Sequence, residues 1–220
     1  MAPEPSAILF DALGTLLTFE PPAPHLRAAL LERTGTDIGE AGAQAAIRAE
    51  IAYYRAHLHE GTDPEALHDL RVRCAAAMAL PFASEVVFDA LMDSLRFHAY
   101  ADSAPTLRAL RARGIRLVVV SNWDWSLHER LLQTGLANLV DGAIASAEVG
   151  SAKPDGAIFA AALRKAGTTA EATWHVGDTP EADVEGARAA GIRPILIARG
   201  EPVPAGAVRS LAELIPLLAP

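Results

Sequence analysis

The stretch Ile8–Leu17, ILFDALGTLL, decides the fold of this chain. Its first residues, Ile8–Phe10, form an unbroken apolar run, which predicts a short strand covered on both faces. The run ends at Asp11, a single carboxylate at the carboxyl end of the strand. Ligands of an open α/β sheet collect at such ends, so Asp11 is a candidate functional residue. Leu13 follows two positions later, and its side chain can do no acid–base chemistry.

Similar apolar runs alternate with helical segments along the rest of the chain. The further predicted strands are Ile115–Val120, Ala143–Ala145, Thr173–Val176 and Pro194–Ala198. The predicted helices between and after them are Ala104–Arg113, Trp125–Thr134, Asp155–Ala166 and Pro180–Ala190. Each of these helices is followed by a glycine, which is a common helix-ending signal. The alternation predicts a parallel sheet with helices on both faces.

The stretch from about Pro21 to His98 interrupts this alternation. It contains no convincing strand, and four helices are predicted in it: His25–Arg33, Glu40–His59, Pro64–Met78 and Ser84–Phe97. Because the stretch leaves after the first strand and returns before the second, we interpret it as an inserted helical cap. The predicted fold class is α/β, with a Rossmann-like parallel sheet core of residues 1–19 and 99–220 and an all-helical cap domain of residues 20–98.

The composition argues against several functional classes. The formal net charge of −8 disfavours a general nucleic-acid binder, which needs a basic surface to neutralise phosphates. No window approaches the roughly 18 uncharged apolar residues of a membrane span, and the first residues lack a signal-peptide pattern. The single cysteine, Cys74, can form no disulfide within the chain and is expected to be buried. We expect a cytoplasmic protein without nucleic-acid or membrane partners, either a monomer or a homodimer.

Residues that can do chemistry follow the other predicted strands at the same sheet edge. They are Ser121 and Asn122 after LVVV, Lys153 in the loop GSAKPD, Asp178 after TWHVG, and Asp183 one helical turn later. Carboxylates are the hard oxygen ligands that Mg²⁺ prefers. The sequence therefore predicts an Mg²⁺ site built from Asp11, Asp178 and Asp183.

The expected substrate is a small anionic molecule. Ser121 and Lys153 are predicted to donate to its oxygens, as are the backbone amides of the Gly14–Thr15 turn. Lys153 would also offset the repulsion between Asp11 and an incoming phosphate. His175 lies inside a predicted strand, where we interpret it as a structural histidine.

Four segments, DALGT, VVVSN, AKPD and HVGDTPEAD, resemble in order the four motifs of the haloacid dehalogenase-like (HAD) hydrolase superfamily. The resemblance spans most of the chain, including a helical cap inserted after the first motif, as in the cap-type-1 subfamilies. It implies that Asp11 is a nucleophile that forms an aspartyl intermediate. It also implies that Ser121 and Lys153 bind the transferring group while Asp178 and Asp183 hold Mg²⁺.

The resemblance has further implications for two residues of the motifs. Thr15 would support the loop of the first motif, and Asn122 would position the second and take part in substrate binding.

The sequence departs from the phosphatases of that superfamily at Leu13. They usually carry a second aspartate two residues after the nucleophile, which protonates the leaving oxygen and then activates water. Such general acid–base catalysis contributes about 10²–10⁴-fold, and leucine supplies none of it. The metal site is unaffected, because the resemblance implies that only the backbone carbonyl of Leu13 is a ligand.

Three functions remain open at this point. The first is a Mg²⁺-dependent phosphatase of a small phosphorylated metabolite with atypical acid–base catalysis. The second is a 2-haloacid dehalogenase, since halide needs no proton on leaving and DALGT is close to the DAYGT of such enzymes. Two features count against it: such enzymes have a tyrosine where this chain has Leu13, and this chain retains Asp178. No cap arginine is identified as a halide site, and Arg48 and Arg55 are no more than candidates. The third is a catalytically weak ligand-binding or regulatory protein.

Overall fold

A computed structural model describes residues 4–200 and 202–218 of the chain. The chain divides into two compact units, which we describe separately. The first unit combines Met1–Thr18 with His98–Pro220, and the second is Phe19–Phe97.

The first unit is built on a five-stranded parallel sheet in the order β5–β4–β1–β6–β7. Its strands are β1 (Ala7–Phe10), β4 (Arg116–Ser121), β5 (Gly142–Ala145), β6 (Thr173–Gly177) and β7 (Arg193–Leu196). All four residues of β1 are fully buried, as are Leu117–Val120 of β4. The predicted α/β fold with a parallel sheet is confirmed, because unbroken apolar strands are stable only where both faces are covered.

The strand register brings the predicted functional residues to one edge of the sheet. Phe10 is paired with Val119 of β4 on one side and with Val176 of β6 on the other. The residues that follow these three positions therefore leave the sheet at the same edge. Since β1 is central and its neighbours run outward in both directions, Asp11 lies where α/β sheets commonly bind ligands.

Helices flank this sheet in the first unit. They are α5 (Ser103–Ala112), α6 (Ser126–Gln133), α7 (Ser146–Val149), α8 (Gly156–Ala166) and α9 (Gly186–Ala189). Helix α8 begins where the Asp155 side chain accepts a hydrogen bond from the Ala157 amide and ends at Gly167, which has left-handed backbone angles. Its Ile158 and Phe159 pack in one buried cluster with Leu9 of β1.

The predicted single helix over Pro180–Ala190 is wrong in its first half. Residues Pro180–Glu185 form a π-helical segment, and α9 follows it. The amides of Asp183 and Val184 both donate to the carbonyl oxygen of Thr179, at 2.8 and 3.4 Å, which widens the turn. Widened turns of this type often occur at functional sites, and this one carries Asp183.

The second unit is formed by four α-helices. They are α1 (Pro22–Thr34), α2 (Gly39–His57), α3 (Pro64–Ala77) and α4 (Ser84–Ser94). Their apolar faces form a single cluster that includes Leu26, Leu70 and Leu91, and Cys74 is buried in it, as predicted. Across the described residues, no helix combines the length and the apolar character that crossing a bilayer requires.

The expectation that this stretch contains no strand is wrong at its C-terminal end. Helix α4 ends at Ser94 instead of Phe97, and Phe97–Ala99 forms β3, which pairs with β2 (Leu17–Phe19). The rings of Phe19 and Phe97 stack with their centroids 4.7 Å apart. Pairing and ring stacking across the two strands override the helical pattern at the end of α4.

The second unit also buries a carboxyl group. Glu50 on α2 is 7% exposed, and Cys74 is the side chain that hydrogen-bonds to it. Burial raises the pKa of Glu50 to about 7, because the charged form loses hydration that this contact only partly replaces.

Candidate active site

Asp11 leaves the end of β1 as a nearly buried carboxylate, 6% exposed. Its amide donates to the Val176 carbonyl oxygen at 2.9 Å, which continues the pairing of β1 with β6. Its Oδ1 accepts hydrogen bonds from Ser121 Oγ at 2.9 Å and Lys153 Nζ at 2.7 Å. Within the described residues, all hydrogen bonds to this carboxylate go to Oδ1, and Oδ2 is left for a substrate or a metal.

Lys153 connects two carboxylates inside the unit. Its Nζ donates to Oδ1 of Asp11 at 2.7 Å and to Oδ1 of Asp183 at 2.5 Å. Burial opposes the charge on the ammonium, but the two carboxylates outweigh it and raise the pKa of Lys153. The lysine therefore stays charged at neutral pH and acts as a hydrogen-bond donor instead of a proton donor.

Asn122 holds the backbone of this lysine. The Lys153 amide donates to Asn122 Oδ1 at 2.7 Å, and Asn122 Nδ2 donates to the Lys153 carbonyl oxygen at 2.9 Å. Both polar atoms of the side chain are used in this way. Asn122 thus holds the backbone of Lys153 in place. The contact of Asn122 with a substrate stays a prediction.

Asp183 is the most enclosed of the three acidic residues, at 1% exposed. Its Oδ1 accepts from Lys153 and from His175 Nε2 at 2.9 Å, and its Oδ2 accepts from the Thr179 amide at 3.0 Å. Burial opposes its ionisation, but His175 and Lys153 outweigh it and hold the pKa of Asp183 well below its usual value. Asp183 is thus an anion with both oxygens already engaged.

His175 supports Asp183 from the middle of β6, where it is fully buried. Burial lowers the pKa of His175, so the ring is neutral at pH 7. Because an ionised carboxylate can only accept, the ring proton is on Nε2. The Nδ1 atom has no hydrogen-bond partner among the described residues. The structural role predicted for His175 is therefore to hold Asp183, a residue of the site itself, by a hydrogen bond.

Asp178 lies beside Asp11 and Asp183, and no cationic side chain among the described residues forms an ion pair with it. Partial desolvation, together with the negative charges of Asp11 and Asp183, raises the pKa of Asp178 to about 6. Its Oδ1 accepts a hydrogen bond from Thr179 Oγ1 at 3.2 Å. The three carboxylates offer oxygen atoms that all lie within 4.8 Å of one another.

This cluster fits a divalent cation of the Mg²⁺ type. Three carboxylates are opposed by one ammonium, and the negative charges of Asp11 and Asp183 add to the effect of burial in raising the pKa of Asp178. Hard oxygen donors without nitrogen or sulfur suit Mg²⁺ better than a softer metal. The ligand set predicted from the sequence, Asp11, Asp178 and Asp183, is brought together here.

The turn of residues 12–17 differs from the predicted phosphate cradle. The Gly14 amide donates to the Leu17 carbonyl oxygen at 2.8 Å, and the Thr15 amide donates to that of Ala12 at 3.3 Å. The two amides expected to face an anion are therefore used inside the turn. The Thr15 hydroxyl is buried and makes no hydrogen bond to a described residue.

Gly14 is nonetheless required at its position. Its φ of 85° is in the left-handed region, and a Cβ placed on it would lie 2.0 Å from Asp178 Oδ2. The turn is thus in direct contact with the acidic cluster.

Leu13 leaves the same turn with its side chain 43% exposed. The hydrogen bonds that close the turn use the carbonyls of Ala12 and Leu17, so the Leu13 carbonyl is not needed for them. That carbonyl is therefore available as the backbone ligand that the sequence predicts.

Two residues near the site, Arg199 and Asp102, were missed by the sequence analysis. Arg199 donates to both carboxylate oxygens of Asp102 and, through Nη2, to the Thr15 carbonyl oxygen at 2.6 Å. Arg199 directly follows the last predicted strand, so the rule that led to Asp11 and Asp178 would have found it. No local signal links Asp102 to the site, because the pairing spans 97 positions.

Comparisons with known proteins agree with this geometry. The model of the haloacid dehalogenase-like hydrolase family matches residues 5–191. Haloacid dehalogenase-like hydrolase domain-containing protein 3 of Bos taurus is 32% identical over 210 residues, covering 89% of this chain and 83% of the relative. Phosphoserine phosphatase of Thermus thermophilus is 31% identical, covering 88% of each chain.

Among solved structures, L-2-haloacid dehalogenase from Xanthobacter autotrophicus superposes with a TM-score of 0.68 over 96% of this chain and 97% of that one. Its identity of 20% makes it a likeness of fold alone. The family match covers most of the chain and includes the residues that surround Asp11. The protein is therefore a hydrolase and belongs to the haloacid dehalogenase-like hydrolase family.

Proposed function

We propose that this protein is a Mg²⁺-dependent phosphatase of a small phosphorylated metabolite, with Asp11 as its nucleophile. The observation that carries the proposal is the convergence of Asp11, Asp178 and Asp183 to within 4.8 Å, with Lys153 joined to two of them. The name of the Thermus relative, a phosphoserine phosphatase, supports the same reaction class.

The charge of the site favours a metal-dependent reaction on phosphate. Three carboxylates against one ammonium would repel a phosphate dianion, so a divalent cation has to accompany the substrate. Asp11, Asp178 and the carbonyl of Leu13 would hold it, with Asp183 in support through Lys153. When bound, Mg²⁺ would neutralise this charge and polarise a phosphoryl oxygen.

The reaction begins with attack of Asp11 Oδ2 on phosphorus. A bond forms between this oxygen and phosphorus, and the bond from phosphorus to the leaving oxygen breaks with its electron pair on that oxygen. Ser121 and Lys153 hold Oδ1 of Asp11, so the carboxylate is fixed for attack. A water oxygen then bonds to phosphorus, and the bond from phosphorus to Asp11 Oδ2 breaks with its electron pair on the carboxylate. The water loses a proton to solvent, so inorganic phosphate and free Asp11 are released.

The test is phosphate release from a panel of phosphomonoesters with Mg²⁺ or with EDTA. We expect activity that requires Mg²⁺ and that falls by at least about 10³-fold in Asp11→Asn, which keeps the shape of the side chain and removes the nucleophile. The matched control is Asp69→Asn, the same change at an exposed position of the second unit, which should retain wild-type activity.

Two results would contradict the proposal. Metal-independent halide release from a 2-haloacid would identify the dehalogenase reaction, which Leu13 also permits. Binding of beryllofluoride without turnover of any phosphate ester would identify a binding or regulatory protein. The cytoplasmic location, the lack of a nucleic-acid partner and the monomeric or homodimeric state stay predictions.

A further inference from the structure

The guanidinium of Arg199 joins two separate segments of the first unit. Its Nη1 and Nη2 donate to the two oxygens of Asp102 at 3.1 and 3.0 Å, and Nη2 also donates to the Thr15 carbonyl oxygen at 2.6 Å. The guanidinium carbon lies 3.7 Å from the centroid of the Tyr100 ring. Hydrogen bonds from both Nη atoms and stacking on the tyrosine ring together restrict the guanidinium to a single orientation.

Asp102 is itself held in place from the other side. One of its oxygens, Oδ2, accepts from Ser210 Oγ at 2.9 Å and from the Leu211 amide at 2.8 Å. Burial opposes the charge of Asp102, but Arg199 and these donors outweigh it and lower its pKa. The Asp102 carboxylate is thus held in one position and orients the Arg199 guanidinium. The guanidinium in turn holds the Thr15 carbonyl oxygen by a hydrogen bond.

The turn that contains Thr15 is held together by hydrogen bonds between its own backbone groups. The amides of Leu16 and Leu17 both donate to the Ala12 carbonyl oxygen at 2.8 Å, and the Gly14 amide donates back to Leu17. On the side of Arg199, the Leu16 carbonyl oxygen also accepts hydrogen bonds, from the Ser103 hydroxyl at 2.7 Å and from the Tyr100 amide at 3.0 Å. A displacement of the Thr15 carbonyl therefore moves the whole turn.

The opposite side of this turn touches the acidic cluster. Gly14 lies so close to Asp178 that a Cβ on it would be 2.0 Å from the carboxylate oxygen. A shift of the turn of a few tenths of an ångström would change where Asp178 and the Leu13 carbonyl lie relative to Asp11. We propose that Arg199 is a positioning residue, which holds the Thr15 carbonyl and thereby sets the geometry of the Asp11–Asp178 site.

The first experiment needs no metal and no substrate. Deuterium exchange is measured on the metal-free proteins, with Arg199→Met compared with wild type. We expect roughly 10-fold or faster exchange of the amides of residues 14–17 in the variant, since a charged hydrogen bond that restrains them is lost. If Arg199→Met does not fold, Arg199→Lys keeps a charge beside Asp102 without the fork and should give the same result.

Ser210→Ala is the matched control. It removes a hydrogen bond to the same Asp102 carboxylate and leaves the contact of Arg199 with Thr15. We expect faster exchange in the 3₁₀ helix Leu211–Leu217, because Ser210 is its N-cap. We expect little change in residues 14–17, because the Leu211 amide still holds Asp102. Unchanged exchange of the turn in both Arg199 variants, or equal acceleration in Ser210→Ala, would overturn the proposal.

The second experiment rests on the proposed metal-dependent function. Mg²⁺ binding is measured by calorimetry. We expect Arg199→Met to bind Mg²⁺ roughly 10–100-fold more weakly than wild type, which is the usual effect of removing a residue that orients metal ligands without contacting the metal. An unchanged affinity would overturn the link from the turn to the site. If wild type itself takes up no Mg²⁺ while Arg199→Met exchanges faster, the proposed function fails and the role of Arg199 in holding the turn stands.

Discussion

Leu13 is the residue that most limits the chemistry of this site. It has the position and the exposure of a side chain that could meet a leaving group, and it can transfer no proton. Lys153 is no substitute, because Asp11 and Asp183 overcome its burial and raise its pKa. A leaving group that is stable as an anion needs no such proton, so we expect substrates with acyl or aryl leaving groups to suit the site best.

The first prediction concerns this leaving group. Wild type should hydrolyse acyl and aryl phosphates faster than alkyl phosphates, and Leu13→Asp should raise kcat/KM for alkyl phosphates by about 10²–10⁴-fold with little change for aryl phosphates. The measurement is phosphate release over a series of leaving-group pKa values. Leu13→Asn is the matched control, since it has the shape of aspartate without its proton. Equal wild-type rates on a sugar phosphate and an aryl phosphate would refute the prediction.

At the scale of the element, α2 shows how helical spacing can bury a charge-bearing group. Ala43, Ala46, Ile47 and Glu50 recur at intervals of three and four residues, and all are buried. Glu50 thus occupies the apolar face of the helix at the position of a core residue, and its raised pKa follows from that position.

The second prediction follows from the sign of this shift. The carboxyl of Glu50 ionises near 4.5 when unfolded and at about 7 when folded, so folded-state stability is lost as the pH rises from 4.5 through 7. Glu50→Gln, which cannot ionise, should gain up to about 3 kcal/mol relative to wild type between pH 4.5 and 8. Urea unfolding at both pH values measures this. Glu40→Gln, an exposed change on the same helix, should show no such gain, and parallel pH profiles for wild type and Glu50→Gln would disprove the prediction.

At the scale of the whole molecule, the parallel sheet brings charged side chains that are far apart in sequence close together in space. Asp11 and Asp178 directly follow β1 and β6, and Lys153 lies in the loop between α7 and α8. The sheet order places β1 at the centre. The resulting excess of negative charge at the cluster is reduced when Asp178 takes up a proton, and a bound cation would reduce it as well.

The third prediction is that protons and Mg²⁺ compete at this site. Asp178 titrates at about 6, and only its ionised form is a good ligand, so Mg²⁺ affinity should fall about 10-fold for each pH unit below 6 and level off above it. Calorimetric titration of the metal-free protein at pH 5, 6, 7 and 8 measures the effect. Asp178→Asn should bind more weakly with little dependence on pH in this range, and equal wild-type affinities at pH 5 and 7 would contradict the prediction.

Much of the fold could be predicted because its signals are local. The strand around Ile8–Phe10 is an unbroken apolar run, and α8 begins after Asp155 and ends at Gly167, so the boundaries lie within one or two residues of the prediction. The strand at Phe97–Ala99 could not be predicted in the same way. Its helical pattern is overridden by pairing with Leu17–Phe19, almost 80 residues earlier.

The sequence by itself determined the parallel α/β core and the identity of the acidic residues, because strand burial and strand ends are encoded within a few neighbouring positions. Only the tertiary structure decided how those residues are used. It engages the amides of Gly14 and Thr15 inside their turn, turns Asn122 toward the backbone of Lys153, and brings Arg199 to the Thr15 carbonyl. The physical reason is that hydrogen bonds and charge pairs form between groups that are close in space, and chain separation does not reveal that closeness.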